Sequence, residues 1–336
     1  MLNCEAFSAT SFRSVPFEAI VAPVRDDLRR ADEGLFDGLD PGHAGFEALR
    51  GHLAGRRGKG LRSALVLLAG RLFGALSEEH VRLARVVELV HLAALLHDDV
   101  LDEAVLRRGG PTLSATRGNT VAVLFGDYLF AHACELAAAG TPVILARLTR
   151  ATRAMCEGEL LQVVERGNLA LGEEIYDDII GRKTAVFFEA AAELGAVLAG
   201  AGDSEAARMA VYGRNLGMAF QITDDCLDLR GEERVAGKTL ATDVRHGELT
   251  LPIIHLLRTA GPGERGRFEN LIRAVARDGC VVGLRSLLVE RGSFAYAEGR
   301  ARTFVADAVR ALDGAPEGSS HACLGDLARM VVERDR

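Results

Sequence analysis

From Glu78 to Glu103 the chain carries a helix whose surroundings change along its length. Glu78, Arg82 and Arg85 form a polar stripe at i, i+4 and i+7, opposite Val81, Ala84 and Val87. After Glu88 the stripe stops, and Leu89 to Leu96 is apolar on every side except at His91. A helix that turns apolar all round is entering a core. It then delivers Asp98, Asp99 and Asp102 where it should be most buried. Any fold for this chain must place three carboxylates at the inner end of a core helix.

The remainder also reads as helix, at about 19–35, 60–74, 112–139, 142–167, 173–200, 204–230, 264–278 and 293–313. Gly109-Gly110-Pro111, Gly140-Thr141-Pro142, Gly200-Ala201-Gly202 and Gly261-Pro262-Gly263 punctuate these stretches. No run alternates with period two between hairpin turns, no repeat recurs at a fixed period, and no Pro-, Gly- or Ser-rich linker divides the chain. With 336 residues, 49% of them hydrophobic, there is ample material for one large core. The expectation is one all-α domain over 1–336, with about 1–18 a loosely ordered N-terminal extension. A net charge of −7 argues against a nucleic-acid partner. The six cysteines are dispersed without metal-like spacing, as in a reduced, cytoplasmic protein. No apolar run approaches the roughly 18 residues of a membrane span.

Two clusters carry the chemistry: Asp98-Asp99-Val100-Leu101-Asp102 and Asp224-Asp225-Cys226-Leu227-Asp228. Both are DDxxD. On a helix the first and last aspartates of each lie about 6 Å apart along the axis and point the same way. Acids this close repel unless cations sit between them. Mg²⁺ suits them, because it takes hard oxygen ligands and is commonly completed by phosphate oxygens. One such cluster alone reads as a solvated acidic face; two, each flanked by apolar residues, favour the cation.

Basic groups recur nearby. Lysine occurs only at Lys59, Lys183 and Lys238 among 40 basic residues, and a compact ammonium differs chemically from the planar fork of arginine. Each lysine has a Gly or Thr neighbour and lies near a helix end, where backbone can approach phosphate. Arg62 follows Lys59, and Arg107-Arg108 follows the first cluster. Surface solvation is the plainer reading of any one of them. His91 lies two turns before Asp98 on the same face, as either a core histidine or a diphosphate contact. Gln221 shares the face of Asp224 in the same way.

The string Val90-His91-Leu92-Ala93-Ala94-Leu95-Leu96-His97-Asp98-Asp99-Val100-Leu101-Asp102-Glu103, then Arg107-Arg108-Gly109-Gly110-Pro111-Thr112, resembles the trans-isoprenyl diphosphate synthases. So do Gly158-Glu159-Leu160-Leu161-Gln162, Gly181-Arg182-Lys183-Thr184-Ala185, Gly217-Met218-Ala219-Phe220-Gln221-Ile222-Thr223-Asp224-Asp225, Gly237-Lys238 and Thr250-Leu251-Pro252. The likeness runs from about residue 20 to the Glu333-Arg334-Asp335-Arg336 tail and is strongest to bacterial octaprenyl diphosphate synthases.

The resemblance implies an all-α bundle around a deep central cavity, usually a homodimer. The implied reaction adds isopentenyl diphosphate head-to-tail to an allylic prenyl diphosphate, by ionisation, condensation and loss of a proton to the released diphosphate. It implies Mg²⁺, as three ions, with Mn²⁺ as the alternative. Asp98, Asp102 and Asp224 would be the metal ligands, with Asp99, Asp225 and Asp228 in support. Arg107, Lys183 and Lys238 would hold the allylic diphosphate; Lys59, Arg62, His91 and Arg108 would bind isopentenyl diphosphate. Thr184 and Gln221 would line the allylic site. The product implied is long and apolar, so transient membrane contact for its release is expected without a spanning segment.

Two departures stand out. The family's Gly-Gly-Lys-Arg-x-Arg-Pro reads Arg57-Gly58-Lys59-Gly60-Leu61-Arg62-Ser63, and its Gly-Lys before Thr-Leu-Pro reads Gly247-Glu248. An acid thus replaces a cation at 248, with Arg245 the candidate substitute. In the family the fourth and fifth residues before the first motif set product length. Here they are Ala94 and Ala93, too small to stop a growing chain, which implies a product beyond geranylgeranyl, octaprenyl or a neighbour. Leu148 and Met155 are candidate lower stops. Two rival functions remain at this point: a class I terpene cyclase and a non-catalytic subunit of a heteromeric prenyl synthase. The second intact DDxxD opposes both.

Overall fold

The computed structural model describes residues 15–39, 42–54, 58–230 and 242–334. Short helices α1 (Phe17–Ile20) and α2 (Arg25–Glu33) lead into α3 (Ala44–Ala54), α4 (Leu61–Phe73) and α5 (Glu78–Leu101). After a two-stranded turn come α6 (Leu113–Arg117), α7 (Asn119–Ala138), α8 (Pro142–Val164), α9 (Glu173–Ile180), α10 (Val186–Leu198) and α11 (Asp203–Arg230). The rest is α12 (Thr242–Arg245), α13 (Leu251–Arg258), α14 (Arg265–Asp278), α15 (Val282–Glu290), α16 (Ser293–Ala311) and α17 (Ser319–Glu333). Phe17 and Ile20 are already buried, so the chain packs from α1 onward, earlier than residue 18; residues 1–14 lie outside the described set.

The element expected to be deepest is so. Helix α5 buries Leu83 through Val90 with the sole exception of Arg85, and its end carries buried Asp99. It packs against α4 and along α7, while α10 packs between α4 and α11. A second core forms around the C-terminal half of α11, α13, α14, α15 and α16, from Ile222, Leu229, Ile254, Phe268, Leu288 and Phe294.

The sequence reading of a single helix over 173–200 is corrected. Between α9 and α10 the backbone makes a π-helical turn, Gly181–Ala185. It is wedged against α8 and α11. A Cβ on Gly158 would stand 2.5 Å from the Lys183 backbone N, and one on Gly217 2.6 Å from the Ala185 Cα. The widened turn is thus flanked by glycines that let two helices close on it, and such bulges concentrate at functional sites.

Other boundaries also moved. Gly118, at φ 84°, splits the expected 112–139 helix into α6 and α7. Helices α3, α12, α13, α15 and α17 were not anticipated. The expected absence of a hairpin fails in one place: Leu106 pairs with Pro111 and Arg107 with Gly110. The linking residues Arg108 and Gly109 both have positive φ, 50° and 76°, as the tightest hairpin turn requires. Finally, α7 is long and apolar enough by composition to meet a membrane-span threshold, but Asp127 and Glu135 interrupt its run and it packs along α5.

Candidate active site

The first cluster sits on the last turn of α5, where the Asp102 N–H still bonds to the Asp98 carbonyl at 2.8 Å. Burial pushes the Asp98 carboxyl up to about 7; Lys183 opposes this, while Glu159 and Asp102 reinforce it. Asp99 faces elsewhere, taking a charge-assisted hydrogen bond from Arg107 Nε. Asp102 Oδ1 lies 3.9 Å from His246 Nδ1.

The π turn supplies the cation. Lys183 Nζ meets Glu159 Oε2 at 2.7 Å. Burial would lower its pKa, but Asp98, Glu159 and Glu248 overcome that and hold the ammonium above its ordinary value. Lys183 is therefore a permanent charge beside Asp98.

The second cluster lies on the inner half of α11. Asp224 Oδ1 is 3.4 Å from Arg334 Nη2, whose guanidinium also donates to the Phe220 carbonyl at 2.9 Å and stacks 4.0 Å from the Phe220 ring. Asp225 is buried, and burial raises its pKa to about 7 against the hydrogen bonds it accepts from Tyr176 and Gln221. Asp228 is buried as well.

Arg62 links the two motifs. Its guanidinium stacks over Phe188 at 4.6 Å, and burial lowers its pKa to about 10, with Glu88, Asp224 and Asp98 supporting the charge and Arg108 opposing it. His91 feels Arg62, Arg108 and Arg107; burial first, then these cations, keep it neutral. Arg108 reaches back to Gly58, where a Cβ would stand 2.7 Å from its Nη2. Arg62, His91 and Arg108 are thus brought together. Lys59 is exposed, at a cavity of about 340 Å³ shared with Arg25, Arg29 and Glu88. Lys238 lies outside the described residues.

Glu248 is explained by a residue the sequence reading missed. Its carboxylate is buried and takes two hydrogen bonds from Arg166, at 2.8 and 2.6 Å, and one from Gln162. Arg245, the expected substitute cation, is exposed and lies beside Gly279. Tyr176, Arg166 and His246 carried no signal as isolated letters, and Arg334 stood only in the tail that closes the family likeness. Glu159 did, within Gly158-Glu159-Leu160-Leu161-Gln162, but its role needs the sight of Lys183. Ala93 is buried and Ala94 half-buried, one turn below Asp98; Leu148 is buried and Met155 half-buried on α8.

As the side chains stand, no three acidic, His or Cys groups among the described residues enclose a cation. The donor set nonetheless fits a hard divalent ion. Asp98 is a carboxylate whose anionic form burial disfavours, with Asp102 beside it adding to that cost, and a cation would relieve it.

Known proteins share this architecture. The family model described as polyprenyl synthetase matches residues 44–283. Octaprenyl diphosphate synthase of Escherichia coli is 34% identical over 284 residues, covering 83% of this chain and 87% of that protein. Heptaprenyl diphosphate synthase component 2 of Geobacillus stearothermophilus is 35% identical over 325 residues, covering 94% and 96%. A polyprenyl synthase from Caulobacter crescentus, solved with calcium and isoprenyl diphosphate, superposes with a TM-score of 0.91 at 34% identity over 97% of this chain and all of that one.

Proposed function

Because the chain belongs to the polyprenyl synthetase family and is a prenyltransferase, we propose that it extends farnesyl or geranylgeranyl diphosphate with isopentenyl diphosphate to a long all-trans product, octaprenyl or a neighbour. The observation that carries this reading is Arg62, whose charge is supported by both Asp98 and Asp224. Two acidic motifs and one buried cation share a single field.

In this reading Asp98, Asp102 and Asp224 hold Mg²⁺, as three ions, or Mn²⁺, with Asp99, Asp225 and Asp228 behind them. When bound, the metal supplies hard positive charge to the allylic diphosphate. Arg107, Lys183 and Lys238 grip the same diphosphate and stabilise the charge it takes on as its C–O bond breaks, the kind of electrostatic term that commonly dominates catalysis. Lys183 suits this role because its ammonium stays charged. Arg62, His91, Arg108 and Lys59 hold isopentenyl diphosphate, whose double bond attacks the allylic cation. Neutral His91 then serves as a hydrogen-bonding contact rather than a charge. Thr184 and Gln221 line the allylic side, and the proton leaves to the released diphosphate.

Ala93 and Ala94, one turn below Asp98, offer no bulky side chain to stop a growing product. The exposed apolar side chains of α7 and α8, among them Leu124 and Val164, support a homodimer. We place the enzyme in the cytoplasm, feeding a quinone-type pathway, with brief membrane contact as product leaves. Incubating the purified chain alone with farnesyl and isopentenyl diphosphates and Mg²⁺ tests the activity. Diphosphate release with a product longer than geranylgeranyl is expected. The likeness to a component 2 protein favours one second reading, a subunit of a heteromeric synthase; a chain that is silent alone and active only with a partner would establish it.

A further inference from the structure

Tyr176 stands on α9, outside every motif the sequence singles out, yet its hydroxyl is buried against the second carboxylate cluster. Tyr176 Oη donates to Asp225 Oδ2 at 2.6 Å. The other oxygen, Asp225 Oδ1, accepts from Gln221 Nε2 at 2.8 Å. Gln221 Oε1 accepts in turn from Thr184 Oγ1 at 2.7 Å. Tyr176, Asp225 and Thr184 are all buried.

The sense of this chain follows from chemistry. While Asp225 is ionised it only accepts, so the phenol and the amide nitrogen both donate to it. With its nitrogen committed to Asp225, Gln221 turns its oxygen to Thr184, which must donate. One buried carboxylate therefore sets the direction of an amide and a hydroxyl, and links α11 to the π turn that carries Lys183. Both Asp225 oxygens hold donors, so Asp225 serves as a hub while Asp224 beside it stays directed toward Arg334.

We propose that Tyr176 is a positioning residue of the prenyl-transfer site: by fixing Asp225 it sets Gln221 and Thr184, and couples the second acidic motif to the π turn. It acts through Asp225, without touching substrate. The inference rests on the functional reading above. Removing one hydroxyl from a full-sized ring leaves the packing intact and releases only the orientation.

The test uses the full chain as Tyr176→Phe, Thr184→Val and the double variant. For Tyr176→Phe, kcat should fall roughly ten- to hundred-fold, as expected for small misplacements at a reacting centre. KM for isopentenyl diphosphate should stay within about two-fold, because Arg62, His91 and Arg108 lie off this chain of hydrogen bonds. Calorimetric binding of Mg²⁺ with inorganic pyrophosphate should weaken by about ten-fold at near-native Tm, since an Asp225 that swings free disturbs Asp224. The double variant should lose little more than the worse single one, as members of one network do. Native kcat and pyrophosphate affinity in Tyr176→Phe would overturn the proposal, and so would additive losses or a parallel fall in kcat, both KM values and Tm. A wild-type chain without turnover would count against the functional reading alone, because the calorimetric arm still measures the coupling.

Discussion

At the residue scale, the buried charges are where the structure answers a departure the sequence resemblance raised. Glu248 stands where a lysine is expected, and Arg166 and Gln162 satisfy it. Replacing Glu248 by Lys sets an ammonium against the Arg166 guanidinium with no carboxylate between them. That change is expected to cost about 2–3 kcal/mol in denaturant unfolding. The swapped pair Glu248→Lys with Arg166→Glu should recover part of the loss, with a coupling of about 1–3 kcal/mol in the double-mutant cycle. Additive losses would mean that the pair does not interact energetically. The three lysines make a second prediction. Lys183 Nζ pairs with Glu159 as a point charge that Asp98 also stabilises, and a guanidinium is longer and planar. Changing Lys59, Lys183 or Lys238 to Arg keeps the charge yet should lower kcat/KM, most at Lys183, by about ten-fold or more.

At the element scale, the π turn and the start of α5 are the informative pieces. Gly158 lies where any side chain meets the Lys183 backbone, which cannot move aside as a flexible side chain would. Gly158→Ala should therefore destabilise by about 1–3 kcal/mol and shift Lys183, seen as a lower kcat beside a lower Tm. The N-terminus of α5 is capped by Ser77 and His80: His80 Nδ1 accepts from the Ser77 N–H at 3.1 Å, and Nε2 faces the Gly195 carbonyl at 3.2 Å. This needs a neutral ring with its proton on Nε2. Burial lowers the His80 pKa, the Gly195 carbonyl opposing it. The unfolded chain then takes up the proton first as pH falls below about 6.5, so this stabilisation is complete above that value and lost as pH falls toward the folded pKa. His91 and His255 carry the same sign. The readout is therefore the difference between wild type and His80→Gln: the variant should start less stable at pH 7.5 and lose less Tm on going to pH 5.

At the scale of the whole molecule, two surfaces decide what the bundle does. The outer side of α7 carries Leu124, 62% exposed on a helix otherwise suited to burial. In the proposed homodimer, Leu124→Asp should leave the fold intact and shift sedimentation from dimer to monomer; an unchanged sedimentation coefficient would exclude this face as the interface. On α5, half-buried Ala94 lies one turn below Asp98. Ala94→Phe should shorten the product toward geranylgeranyl or farnesyl lengths, and unchanged product sizes would remove α5 from length control.

The sequence alone determined the helical class and the placing of α5 and α11, because a continuous apolar surface with period 3.6 is a local property. It also determined the two acidic motifs and the cations near them, since motif spacing along a helix needs no tertiary knowledge. It could not determine which charges meet. Arg166 reaches Glu248 across 82 residues, Tyr176 reaches Asp225 across 49, and Arg334 reaches Asp224 from the last described turn. The π turn was likewise invisible in local spacing, since α8 and α11 close on it at Gly158 and Gly217, both distant in sequence from Gly181–Ala185. The physical reason is common to these cases. Burial removes water from a polar group and obliges it to find a partner in space, and that partner is chosen by packing, which is not written in local spacing.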